Sequence, residues 1–104
     1  MKWFNDVLSR RIRLTDERQW HIENTHPEMA GQIDRIEKTL LEPERIVRSI
    51  TDSDIELFYR YYDITPVTNK YLCVVVKTAI SDLFIITAYF TNTAKRGELR
   101  WERK

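Results

Sequence analysis

The hydrophobic period of this chain changes once, and the change limits what it can fold into. Between residues 16 and 43 apolar side chains recur at helical intervals; from residue 46 onward they alternate. A spacing near 3.6 fits one face of a helix, and a spacing of two fits a half-buried strand. Four β-rich segments follow the switch, at 46–51, 55–62, 71–78 and 83–91. Asp52-Ser53-Asp54, Thr65-Pro66 to Asn69, and Ser81-Asp82 separate them with turn chemistry. Connections this short require antiparallel pairing, because parallel neighbours need a long crossover.

The first half reads as helical with one short strand. Residues 3–9, with Trp3, Phe4, Val7 and Leu8, fit a short amphipathic helix; Ile12 and Leu14 alternate with Arg11 and Arg13 as a strand. Asp16 is placed to cap a helix, and Gln19, three residues on, completes a capping box. Pro27 interrupts that helix near Asn24 and Thr25 and opens a second one, with Met29, Ile33, Ile36 and Leu40 forming one apolar stripe before Pro43 closes it. The expected fold is therefore α+β, with N-terminal helices packed on one face of a four- to five-stranded antiparallel sheet. It forms a single domain over residues 1–104, its core between about 11 and 101; 104 residues leave little room for a second core.

Composition narrows the function classes. Two glycines, Gly31 and Gly97, are too few for a phosphate-binding glycine loop or a dinucleotide fingerprint. Cys73 is the only cysteine, so it has no disulfide partner within the chain and cannot belong to a paired-cysteine metal site. No apolar run approaches the length of a signal peptide or spanning helix, which predicts a cytoplasmic setting and no membrane partner. The net charge is +1, but residues 95–104 carry five basic and two acidic groups. Such a tail is either solvated surface or one wall of a phosphate-binding groove.

Alternation sorts the strands by face. Leu72, Val74, Val76, Phe84, Ile86, Ala88 and Phe90 share one parity and are all apolar, which predicts the face beneath the helices. A hairpin centred near Ile80 then sets Val76 opposite Phe84, Lys77 opposite Leu83, Cys73 opposite Thr87 and Tyr71 opposite Tyr89. In the preceding strand Ile55, Leu57, Tyr59 and Tyr61 are expected in the core, and Glu56, Phe58, Arg60 and Tyr62 on the second face. That second face would hold Arg60, Lys77, Thr87, Tyr89 and Thr91. Such a set either neutralises phosphate and stacks bases, or is the wet face of an ordinary antiparallel sheet.

Both histidines lie in Trp20-His21-Ile22-Glu23-Asn24-Thr25-His26-Pro27-Glu28. Their five-residue separation across a helix break does not match helical zinc spacing, so no metal is expected. An imidazole can give or take a proton near neutral pH, which makes each histidine a candidate acid or base. A helix-terminus residue at position 26 and a partly buried ring beside Trp20 explain them equally well.

Taken in order, these pieces resemble a known family. They are Arg13-Leu14-Thr15-Asp16-Glu17-Arg18, Trp20-His21-Ile22, His26-Pro27-Glu28-Met29, Ile46 after Pro43, and Leu57-Phe58-Tyr59-Arg60. Val74-Val75-Val76-Lys77, Ile85-Ile86-Thr87-Ala88-Tyr89, Lys95-Arg96-Gly97 and Trp101 follow. The set is similar to the phage-associated nuclease families of the barnase–EndoU–colicin–RelE superfamily, over about residues 11–101. The resemblance implies a toxin-like endoribonuclease that needs no metal or other cofactor, since the ribose 2′-hydroxyl itself attacks the adjacent phosphate. It implies RNA as substrate and an antitoxin protein as a possible partner. Carried over, the catalytic set is His21, His26, Lys77, Thr87 and Tyr89. His21 would transfer the proton, Lys77 and Arg60 would clamp the phosphate, and Thr87 and Tyr89 would position it. Thr91 and Lys95 would join Arg60 in binding substrate, and Tyr59 or Tyr61 would stack a base. The competing expectation is a non-catalytic module of the same fold that binds RNA or a protein.

Overall fold

The computed structural model describes residues 1–104. Strands β1 (Lys2–Asn5) and β2 (Arg11–Leu14) form an antiparallel hairpin, followed by helix α1 (Asp16–Thr25), a 3-10 turn (Pro27–Met29) and helix α2 (Ile33–Leu41). Strands β3 (Arg45–Arg48), β4 (Ile55–Tyr61), β5 (Tyr71–Ala79) and β6 (Asp82–Thr91) then run as an antiparallel meander, and β7 (Glu98–Glu102) returns to pair with β3. The single sheet has the order β1-β2-β6-β5-β4-β3-β7, and β2 meets β6 in parallel. The fold is α+β as expected, but the sheet has seven strands and is mixed, where four or five antiparallel strands were anticipated. No helix is long and apolar enough to cross a membrane.

Three differences lie in the first half. Residues 3–9 are not a helix: Phe4 is buried while Trp3 and Asn5 face out, which is strand alternation. The turn that folds β1 back is tied by Asp6. Its buried carboxylate accepts hydrogen bonds from the amides of Leu8 and Arg10 and from Arg10 Nε, while Ser9 takes the left-handed conformation at φ 63°. The cap of α1 is Thr15, whose Oγ1 accepts from the Arg18 amide, and Asp16 is the first helical residue. The second helix does not start at Pro27. A 3-10 turn occupies Pro27–Met29, Gly31 adopts φ 78°, and only then does α2 begin at Ile33. Even so, Met29, Ile36 and Leu40 are buried and Ile33 packs against them, so the apolar stripe was correctly placed.

Both helices bury against one face of the sheet. Ile22, Met29, Ile36 and Leu40 pack on Phe4, Ile12, Leu14, Ile46, Phe58, Leu72, Val74, Val76, Ile85, Ala88 and Phe90. Each large apolar side chain removed from water here contributes about 1.5–3 kcal/mol before entropy is counted. The other face has a smaller core of Val47, Leu57, Tyr59, Cys73 and Val75 and no helix over it. What crosses it is the β6–β7 connection. The chain must pass β5, β4 and β3 to reach the outer side of β3, about 19 Å at ordinary strand spacing. Residues 92–97 do this as a nearly extended strap, with Ala94 packed on the smaller core. Gly97 is where the strap touches the sheet most closely: a Cβ there would lie 2.5 Å from the Arg48 carbonyl oxygen. Gly97→Ala is expected to lower stability by about 1–3 kcal/mol in denaturant titration, because the obstacle is backbone.

The assignment of faces needs correcting in two strands. Val75 pairs with Thr87, but Val76 pairs with Ile85, so Ile86 is an extra residue bulged out of β6. Beyond the bulge the alternation reverses. Ile85 enters the helix-side core, Ile86 packs on the smaller core, and Phe84 pairs with Lys77 on the helix-free face. The hairpin turns on Ile80 and Ser81, not on Ile80 alone, and this shift together with the bulge sets Tyr89 opposite Cys73 and Thr91 opposite Tyr71. In β4 the two faces are exchanged: Phe58 lies under the helices, and Leu57 and Tyr59 lie in the smaller core. The strand is buried on both sides, and its helix-side parity carries Glu56 and Arg60 beside Phe58, so alternation points to the wrong face.

Candidate functional site

Strand β2 pairs with β6 only at Leu83 and Phe84. Past that point β6 has no strand neighbour on its outer side, and the end of α1 lies against this open edge. His26 is fixed there by its own backbone: its amide donates to the Ile22 carbonyl at 2.7 Å, and its carbonyl accepts from the Met29 amide at 2.8 Å. Pro27 supplies the abrupt turn that allows both bonds. The His26 ring comes to 5.5 Å from the ring of Tyr89, tilted by 33°. Glu28 Oε2 stands 3.8 Å from His26 Nδ1, close enough to bias the ring's orientation.

Tyr89 reaches from this edge toward the smaller core. Burial, and then the neighbouring Cys73, push its hydroxyl well above the ordinary phenol range. It therefore stays protonated and can donate a hydrogen bond, but it cannot serve as a base at neutral pH. Tyr59 shows the same upward shift for the same first cause. Its hydroxyl is buried, lies near the Lys95 main chain and the Cys73 thiol, and makes no hydrogen bond of good geometry. Cys73 is raised to about 11 by burial, against the opposing influence of Tyr89, Tyr59 and the Lys95 ammonium. The thiol is thus an inert core group. Native protein at pH 8 is expected to resist iodoacetamide and to be labelled once unfolded in denaturant, as mass spectrometry would show; rapid labelling of folded protein would contradict the burial.

The structure gathers some of the expected residues and disperses others. His26 and Tyr89 meet, and Lys95 comes to the same end of the helix-free face on the strap. Thr87 and Thr91 flank Tyr89 along β6 on that face, Thr91 donating to the Thr93 carbonyl. His21 does not join them. It is exposed on α1, its ring edge-on to the exposed Trp20 at 5.3 Å. Arg60 is on the opposite face. It donates to the Glu42 carbonyl at the end of α2 and lies 5.7 Å from the Tyr62 ring, so it caps a helix C-terminus. Lys77 is on the helix-free face but four residues along β5 from Cys73, about 13 Å away at the strand rise. Its ammonium is held 3.3 Å from Asp52.

Two neighbours of the site were not anticipated, Glu28 and Cys73, and Tyr59, expected to stack a base, is buried in the smaller core with no ring face open to one. Glu28 stood in the sequence beside His26, but nothing in a two-residue spacing marks a carboxylate as an orienting group. No cluster of three or more His, Cys, Asp or Glu side chains is arranged to hold a metal ion. No enclosed pocket is present, and the residues gathered here lie on the surface. Comparison with known proteins found no match among family models, curated proteins or solved structures.

Proposed function

We propose that this domain engages RNA on its helix-free sheet face and cleaves it at the open edge of β6, with His26 as the proton-transfer residue. The carrying observation is the meeting of His26 with Tyr89 at that edge, where Lys95 and the threonine hydroxyls of β6 share one surface. In this reaction a base takes the proton of a ribose 2′-hydroxyl, the oxygen bonds to phosphorus, and the 5′ oxygen leaves with a proton from an acid. Imidazole is suited to either transfer. Tyr89, protonated, would donate to a phosphate oxygen, and Lys95 would offset its charge. Glu28 would act as a positioning residue through the imidazole. The resemblance to toxin-like nucleases supports the same reading and would add an antitoxin that covers this edge.

A second reading is favoured by one observation. The two cations expected to clamp phosphate are committed elsewhere, Arg60 to the Glu42 carbonyl and Lys77 to Asp52. A domain with that arrangement would bind RNA without turning it over. Incubation with total RNA in EDTA separates the two. The cleavage reading expects fragments ending in cyclic phosphate, abolished when the ribose at the cut site is 2′-deoxy. Intact RNA with salt-dependent binding would establish the binding module instead.

A further inference from the structure

A second group of side chains lies on the same face, away from the His26 edge, and none of them is used in the reaction above. Register places them in one row across four strands. Trp3 of β1 pairs with Arg13 of β2, Arg13 with Phe84 of β6, and Phe84 with Lys77 of β5. Directly paired residues project to the same side of a sheet, so the row alternates aromatic, cation, aromatic, cation. The guanidinium of Arg13 lies 4.9 Å from the Phe84 ring and is held by both carboxylate oxygens of Asp82 at 2.9 Å. Lys77 is steadied by Asp52. Arg11, on the same side of β2, lies 4.6 Å from the Trp3 ring and has no carboxylate partner. Trp3 is 49% exposed, although nothing in the fold of β1 requires a tryptophan at a wet position.

Resting on the RNA reading, we propose that this row is a stacking platform for single-stranded RNA, with Arg11 as its free phosphate contact. Bases of an unpaired strand offer flat faces to the sides of Trp3 and Phe84 that Arg11 and Arg13 leave open, and Arg11, paired with no carboxylate, matches a backbone phosphate. A duplex keeps its base faces stacked inside and has nothing to offer these rings. No helix covers the row, and the strap crosses the face beyond it. Phe84 and Tyr89 lie opposite Lys77 and Cys73, four residues apart on β5, so about 13 Å of strand separates them. A strand must run beyond two nucleotides to touch both, and a dinucleotide reaches only one.

The test uses the full chain and a labelled 2′-O-methyl oligouridylate, which cannot be cleaved, long enough to span the face. In fluorescence anisotropy at low salt, Trp3→Ala and Arg11→Ala are each expected to weaken binding by about 5- to 100-fold, with Arg11→Lys in between. Cleavage of a dinucleotide in EDTA should be unchanged in all three. Variants that bind the oligomer as wild type does would remove the platform and leave the His26 edge standing. A wild-type protein that binds no oligomer would remove both. Equal affinity for a duplex of the same sequence would overturn the single-strand assignment. Arg11 is an exposed side chain, so its variants keep the test open should Trp3→Ala fail to fold.

Discussion

His26→Ala is expected to lose RNA cleavage in EDTA by about 10²- to 10⁴-fold, the range that one positioned proton-transfer group supplies. Only His26 of the two histidines is brought to the open edge of β6, so His21→Ala should cleave within about twofold of wild type, well inside the scatter of an interaction worth nothing. The His26 side chain makes no hydrogen bond that the fold depends on, and its backbone bonds survive truncation. The thermal midpoint of the variant should therefore stay close to wild type, separating loss of chemistry from loss of structure. His26→Gln keeps a polar side chain that cannot exchange a proton and should be as inactive as the alanine variant. A His21→Ala protein as dead as His26→Ala would mean that the catalytic imidazole had been misassigned.

The largest effect on stability is expected at Asp6. Its side chain is fully buried, and it joins the β1–β2 turn to Arg10, which in turn binds Glu56 Oε1 at 2.7 Å. Arg100 approaches the second Glu56 oxygen at 3.6 Å, so the cluster links the β1–β2 hairpin, β4 and β7. Asp6→Ala would leave two amide donors and one guanidinium nitrogen, all partly buried, without acceptors. Breaking a buried pair from one side costs about 3–5 kcal/mol, and denaturant titration should show a loss in that range. Asp6→Asn keeps an acceptor for the amides and should fall between. A loss below 1 kcal/mol, the scale of an exposed ion pair, would mean that the turn is held by something other than this carboxylate.

The sequence pattern made parts of this molecule legible and left others closed. The meander was readable because β5 carries a clean apolar run and short polar turns bound its neighbours. The α2 stripe was readable because its apolar residues keep helical spacing regardless of where the first turn begins. β1 was misread because Trp3, Phe4, Val7 and Leu8 fit a helical wheel as well as a strand, and the buried Asp6 that decides the matter is tied to distant Glu56 only through Arg10. β7 was missed because Leu99 and Trp101 alternate with charges over only five residues inside a tail read for its charge; it is held by pairing with β3. The Ile86 bulge cannot be seen in alternation, since inserting one residue exchanges two apolar parities for each other. Within the site, His26 was visible through its proline and Tyr89 through its parity. Arg60 was misplaced because the two faces of β4 were exchanged; Lys77 lies on the expected face, but parity does not reveal that its ammonium finds Asp52.

Backbone amide shifts during titration with a 2′-O-methyl RNA oligomer test the central claim most directly. The largest changes should fall on His26, Thr87, Tyr89 and Lys95, which run from the outer edge of β6 to the strap on the helix-free face. Perturbations confined to the solvent sides of α1 and α2, or none at saturating RNA and low salt, would contradict it.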